Sequence, residues 1–139
     1  MPVTYFWDDD DKRAVCYHYD GRWTWEELYA VLEESRKLWD EVNHTVDVIV
    51  DLSDSAGFPS GNILGHFRNI SAYYNDPKAG NTVIIGANDF FRMASELFNR
   101  VYVRQRHKVV GNTVLVKDMA AAREILAEFR KKASSNSNS

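Results

Sequence analysis

Hydroxyls and carboxylates crowd one stretch of this chain, Asp47-Val48-Ile49-Val50-Asp51-Leu52-Ser53-Asp54-Ser55-Ala56-Gly57-Phe58-Pro59-Ser60-Gly61. A nearly continuous apolar run over Val46–Leu52 reads as a strand covered on both faces. It leads into a short acidic, serine-rich loop, and Ser60 is placed to cap a following helix. In open α/β sheets ligands and partners meet the protein beyond the carboxyl ends of the strands, so this loop is the expected working segment. A nucleophilic reading from Ser60, His66 and Asp51 lacks the G-x-S-x-G elbow that exposes a catalytic serine. Enzymatic activity is not expected.

Other chemistry-bearing residues point to structure. Asp8 to Asp11 lie on one short turn and cannot all face a single ion. No glycine or bidentate glutamate follows at calcium-loop spacing, so a solvated hairpin turn is expected. His18, His44, His66 and His107 are far apart, with no metal-ligand spacing, and no metal or cofactor is expected. Cys16 has no neighbour in sequence that would lower its pKa and reads as a buried strand cysteine. Gly57, Gly61 and Gly65 do not make a nucleotide-binding glycine motif. Arg92, Arg100, Arg104, Arg106, His107 and Lys108 gather late in the chain, with Arg100 and Arg104 one helical turn apart. Arg100, Arg104 and Arg106 form a candidate anion patch, with a solvated helix face as the commoner outcome. Tyr73, Tyr74, Phe90, Phe91, Phe98 and Tyr102 exceed what short helices need for a buried stripe. Their surplus suggests a dimer surface or a small apolar ligand.

The elements that must position these residues follow from periodicity. Thr4–Trp7 and Arg13–Asp20 read as an antiparallel strand pair. The second strand puts Ala14, Cys16 and His18 on one face and Val15, Tyr17 and Tyr19 on the other. Thr24 and Glu27 make a T-x-x-E capping box, flanked by a Trp23/Leu28 staple. Trp25, Leu28, Tyr29, Leu32, Ser35 and Trp39 then recur at helical spacing, giving a helix over 25–41. Ile63, Leu64, Phe67, Ile70, Ser71 and Tyr74 stripe a second helix. Residues 75–80 form a turn cluster before a strand over Thr82–Gly86. Asn88 or Asp89 caps a third helix, Thr113–Val116 is a short strand, and Asp118 caps a last helix with Met119, Ala122, Ile125, Leu126 and Phe129 inward. The order β-β-α-β-α-β-α-β-α predicts an α/β fold with a mixed, mostly parallel five-stranded sheet and flanking helices.

At 139 residues, with 45 % hydrophobic and 13 % aromatic residues, the chain suits one domain with a real core. That domain is expected over residues 1–132, with 133–139 a disordered polar tail. A net charge of -3 and a pI near 5.8 give no general attraction to nucleic acid or anionic membrane. A single cysteine precludes an internal disulfide, and no apolar run reaches membrane-spanning length. A cytoplasmic location is expected.

The element order, the two opening strands and "DVIVDLSDS" leading to a Ser/Gly helix start resemble the STAS domain, the SpoIIAA-like fold of anti-sigma-factor antagonists. "GRWTWEEL" and "TVIIGAN" are closer to a branch of STAS-like bacterial proteins of unassigned function. The resemblance covers roughly residues 4–130. It implies a small cytoplasmic regulatory protein that binds a partner, such as a regulatory kinase or anti-sigma-like factor, often as a homodimer or within a larger regulatory assembly. In phospho-regulated members a serine at the start of the second helix is phosphorylated. Its nearest counterparts are Ser55, in Asp54-Ser55-Ala56-Gly57, and Ser60, in Ser60-Gly61. Ala56 stands where a second hydroxyl residue is usual, and Ser60 lacks the preceding aspartate. The expected function is thus a non-enzymatic protein-interaction module. It acts through a loop that comprises Ser53, Asp54, Ser55, Gly57, Phe58, Ser60 and Gly61, together with the start of the second helix. The alternative is a binding protein for a small apolar or amphipathic ligand.

Overall fold

The computed structural model describes residues 2–73, 77–86 and 113–137. Strands β1 (Val3–Trp7) and β2 (Ala14–Gly21) pair antiparallel across the acidic turn. Helix α1 (Trp25–Asp40) leads to β3 (Val46–Ser55), and α2 (Ile63–Tyr73) precedes β4 (Ala79–Ile85). Strand β5 (Thr113–Val116) and helix α3 (Met119–Ser137) complete the described elements. The sheet order is β1-β2-β3-β4-β5, parallel from β2 onward. The fold is therefore α/β, with a mostly parallel five-stranded sheet and, among the described residues, three helices. The expected third helix and the arginine group Arg100, Arg104 and Arg106 lie outside those residues, as do Tyr74, Phe90, Phe91, Phe98 and Tyr102.

The alternation of β2 divides the core as its sequence requires. Val15, Tyr17 and Tyr19 join Trp25, Leu28, Val31, Leu32 and Trp39 of α1, and Ile63 and Ile70 of α2 pack against that cluster. Ala14 and Cys16, with Ile49, Val83 and Ile85, meet Ala122 and Leu126 of α3, and Met119, Ile125 and Phe129 pack alongside. Both sheet faces are covered, which explains why β3 reads as one apolar run. Ser35 stays buried on α1 because its hydroxyl has two partners, the Tyr17 hydroxyl at 2.7 Å and the Leu32 carbonyl at 3.0 Å.

Local signals are realised with changes. Thr24 Oγ1 accepts from the Glu27 backbone N–H at 3.1 Å, the expected cap. The Glu27 carboxylate, however, accepts from the Thr24 hydroxyl at 3.0 Å, where the capping box would have it reach the Thr24 backbone. Asp118 caps α3 by accepting from the Ala121 N–H at 2.9 Å. Ser60 does not cap α2. Gly61 turns the chain at φ 122, the helix begins at Ile63, and the Asn62 side chain accepts from the Gly65 N–H at 3.1 Å. Helix α3 runs on to Ser137, into the segment expected as a polar tail.

The acidic turn is only partly solvated. Asp10 and Asp11 are exposed, but the Asp8 side chain is 9 % exposed. Its carboxylate accepts from Arg123 of α3 at 2.9 and 3.1 Å, a fork that ties the hairpin to the last helix. At the same end of the sheet, where β3 pairs with Ala14, Asp47 is buried and accepts from Arg130 at 3.1 Å and from the Asn81 N–H at 2.8 Å.

Candidate functional site

Strand β3 runs three residues further than its apolar run, so Ser53, Asp54 and Ser55 belong to the sheet and the loop begins at Ala56. The reason lies in β2, which continues to Gly21 and pairs Asp20 with Asp54 and Gly21 with Ser55. Between His18 and Asp20 the register shifts, with Leu52 and Ser53 opposing Tyr19 alone. Such a bulge reverses the facing of the residues beyond it. Asp54 is thereby brought to the face of His18, and its Oδ2 lies 2.8 Å from His18 Nε2. Asp51, the register partner of His18, accepts from both the Ser53 N–H at 3.0 Å and the Ser53 hydroxyl at 2.6 Å. One polar rim at the carboxyl ends of β2 and β3 thus holds His18, Asp51, Ser53 and Asp54.

The chain beyond the rim is pinned from beneath. The Trp23 indole N–H donates to the Ser55 hydroxyl at 2.8 Å, and the Gly57 N–H donates to it at 3.2 Å. The same hydroxyl donates to the Gly57 carbonyl at 3.3 Å, while the Ala56 N–H donates to Gly21 O at 2.8 Å. Gly57 and Gly61, at φ 128 and 122, supply the two left-handed positions that bracket Phe58-Pro59-Ser60. Phe58 and His66 both stack on Trp25, with centroids at 6.3 and 4.4 Å. Trp23 meets Trp25 edge-on at 5.1 Å, and Trp25 Nε1 donates to the Ser60 carbonyl at 3.3 Å. The Tyr29 hydroxyl, 2.6 Å from His66 Nδ1, fixes the ring at the start of α2.

Of the residues singled out by sequence, Ser53, Asp54, Ser55, Gly57, Phe58, Ser60 and Gly61 do form one continuous surface segment. Within it Ser53, Asp54, Ser60 and Gly61 are exposed, whereas Ser55, Gly57 and Phe58 are half-buried. Ser60, His66 and Asp51 are engaged with other partners, Trp25, Tyr29 and Ser53 respectively. No sequence motif marks Trp23, Trp25 and Tyr29 as the scaffold of the site, and His66 enters from sequence only through the nucleophilic reading. The scaffold's signal was present in "GRWTWEEL", whose two tryptophans exceed what one helix start needs. Cys16 is fully buried, and burial, followed by the charges of Asp51 and Asp8, pushes its thiol up to about 12.

Among the described residues no group of three or more His, Cys, Asp or Glu could hold a metal ion, and no helix is long and apolar enough to cross a membrane. No protein-family model, curated protein or solved structure matches this chain.

Proposed function

We propose that this chain is a non-enzymatic, STAS-like protein-interaction module whose working surface runs from Ser53 to Gly61 and onto the start of α2. The observation that carries this reading is a segment held still from below and polar above. Three aromatic rings and the Ser55 hydroxyl anchor it, while Asp54, Ala56, Ser60 and Gly61 face solvent. A surface ordered before it binds loses less conformational freedom on docking, so even a small polar face can recognise a protein. Supporting the STAS-like reading are the opening antiparallel pair and the parallel strands that follow, with α1 and α2 set between the first three of them.

The two candidate phosphoacceptors differ in this setting. Ser55 has its hydroxyl engaged three times, whereas Ser60 is exposed and contributes only its carbonyl to the scaffold. In the proposed module a kinase acts on Ser60. The added charge of about -1.5 to -2 repels a partner that had accepted the neutral surface.

Capture from host lysate with the wild type and an Asp54→Lys/Ser60→Glu variant tests the surface. Loss of specific partners from the variant is expected, and identical partner sets would refute the assignment. Intact-mass analysis after incubation with lysate and ATP tests the switch, with one phosphate on Ser60 expected and none on Ser55.

A further inference from the structure

We infer that β1 is a dimerisation edge, pairing antiparallel with β1 of a second copy about a two-fold axis through Tyr5. Strand β1 is a terminal strand of the sheet, with β2 as its one neighbour among the described residues. Its hydrogen-bond phase is set at both ends, where Asp20 N–H donates to Pro2 O at 2.7 Å and Asp8 N–H donates to Ala14 O at 2.8 Å. Antiparallel ladders alternate, so Pro2, Thr4, Phe6 and Asp8 turn their backbone groups toward β2. The N–H and C=O groups of Val3, Tyr5 and Trp7 therefore point outward, away from β2.

Among the described residues that edge carries none of the protections a strand's own sequence and register can supply. The sequence Val3-Thr4-Tyr5-Phe6-Trp7 contains no charge and no proline, and the register with β2 has no bulge. Phe6 is the large hydrophobic residue left exposed among the described residues, at 46 %, and it lies on this strand. A two-fold axis through Tyr5 pairs Val3 of each chain with Trp7 of the other and Tyr5 with its mate. It is the register that engages all three outward residues of both chains.

The side chains suit a copy of the same chain. On the face away from α1, Thr4 comes to lie directly opposite Phe6 of the second copy, and the reverse. These are the non-hydrogen-bonded positions of the new ladder, where side chains approach most closely. An aromatic and a β-branched residue make a favourable cross-strand pair there. On the other face Glu34 accepts from the Tyr5 hydroxyl at 3.0 Å, and the Lys37 ammonium stands 5.9 Å from the Tyr5 ring centre. Glu34 and Lys37 pair with each other at 3.6 Å beside this ring, so each copy brings one charge of either sign to the flank of the new ladder. A self-complementary patch of this kind closes as an isologous dimer.

Sedimentation equilibrium of the full chain and two double variants tests this pairing. Thr4 and Phe6 are exposed, and circular dichroism checks that both variants fold. The wild type is expected to show a reversible monomer–dimer equilibrium. Thr4→Lys/Phe6→Lys sets like charges opposite each other at two symmetric places and should weaken dimerisation by about tenfold or more. Thr4→Lys/Phe6→Glu sets opposite charges at the same places and should recover it. A wild type that stays monomeric at its highest soluble concentration overturns the inference, including the case in which the edge captures a foreign extended peptide. A dimer indifferent to the lysines overturns the edge, and failure of the Lys/Glu variant to recover overturns the register.

Discussion

The indole N–H of Trp23 donates to the hydroxyl of Ser55 at 2.8 Å, joining the entrance of α1 to the end of β3. Through this bond a serine that looked like a phosphoacceptor acts as a fastener for the loop that follows it. Trp23 is 5 % exposed, so its N–H has little access to water as a replacement partner.

Ser55→Ala should therefore destabilise the protein by about 1–2 kcal/mol, the usual cost of leaving a buried donor unsatisfied. Equilibrium urea unfolding checks the magnitude. Hydrogen exchange should show faster opening of the backbone over 55–61 with little change in β1 and β2. An unchanged midpoint and unchanged exchange would remove Ser55 from its fastening role.

The Asp47–Arg130 pair predicts a second effect. Asp47 is buried and also accepts from the Asn81 N–H, so Asp47→Ala strands two donors at once. A loss of roughly 2 kcal/mol is expected. This is below the range for fully buried pairs, because the Arg130 side chain is 27 % exposed. Asp47→Asn keeps an acceptor for Asn81 and should lose less. Urea midpoints of the two variants, measured side by side, decide the order.

Alkaline stability should be governed in part by Cys16. Its thiol ionises near 9.0 when unfolded and near 12 when folded. Below pH 9 both states hold the proton, so its contribution is fully present. As pH rises from about 9 toward 12 the unfolded chain releases the proton first. Stability then falls by at most about 1.4 kcal/mol per pH unit. Burial raises the Tyr17 phenol as well and adds a loss of the same sign that begins near its ordinary value of 10.0. Cys16→Ala should abolish the part that begins near pH 9 and leave the Tyr17 part. Unfolding midpoints from pH 8 to 11 show whether the early loss disappears.

The element types of the described chain were legible in sequence because each is a local pattern. Helix α1 follows from the spacing Trp25, Leu28, Leu32 and Trp39, and β2 from strict alternation. The inward face of α3 follows from Met119, Ala122, Ile125, Leu126 and Phe129. A two-sided apolar run gave away β3 as an interior strand. These signals need only a chain's own periodicity and the presence of a core to face.

Partners of polar groups were not legible, because they are chosen across the sheet by residues far apart in sequence. Asp8 reads as one of four equivalent turn aspartates, yet packing brings Arg123 to it alone and shields it from water. Ser53 to Ser55 read as loop, since no local pattern records that β2 runs on to Gly21 and offers them a ladder. Ser60 reads as a cap, and the left-handed turn at Gly61 passes that role to Asn62. The sequence by itself determined which faces are buried, through the spacing of its apolar residues. The tertiary structure alone decided which hydroxyls and carboxylates stay exposed, because each buried polar group must find its partner in the folded neighbourhood.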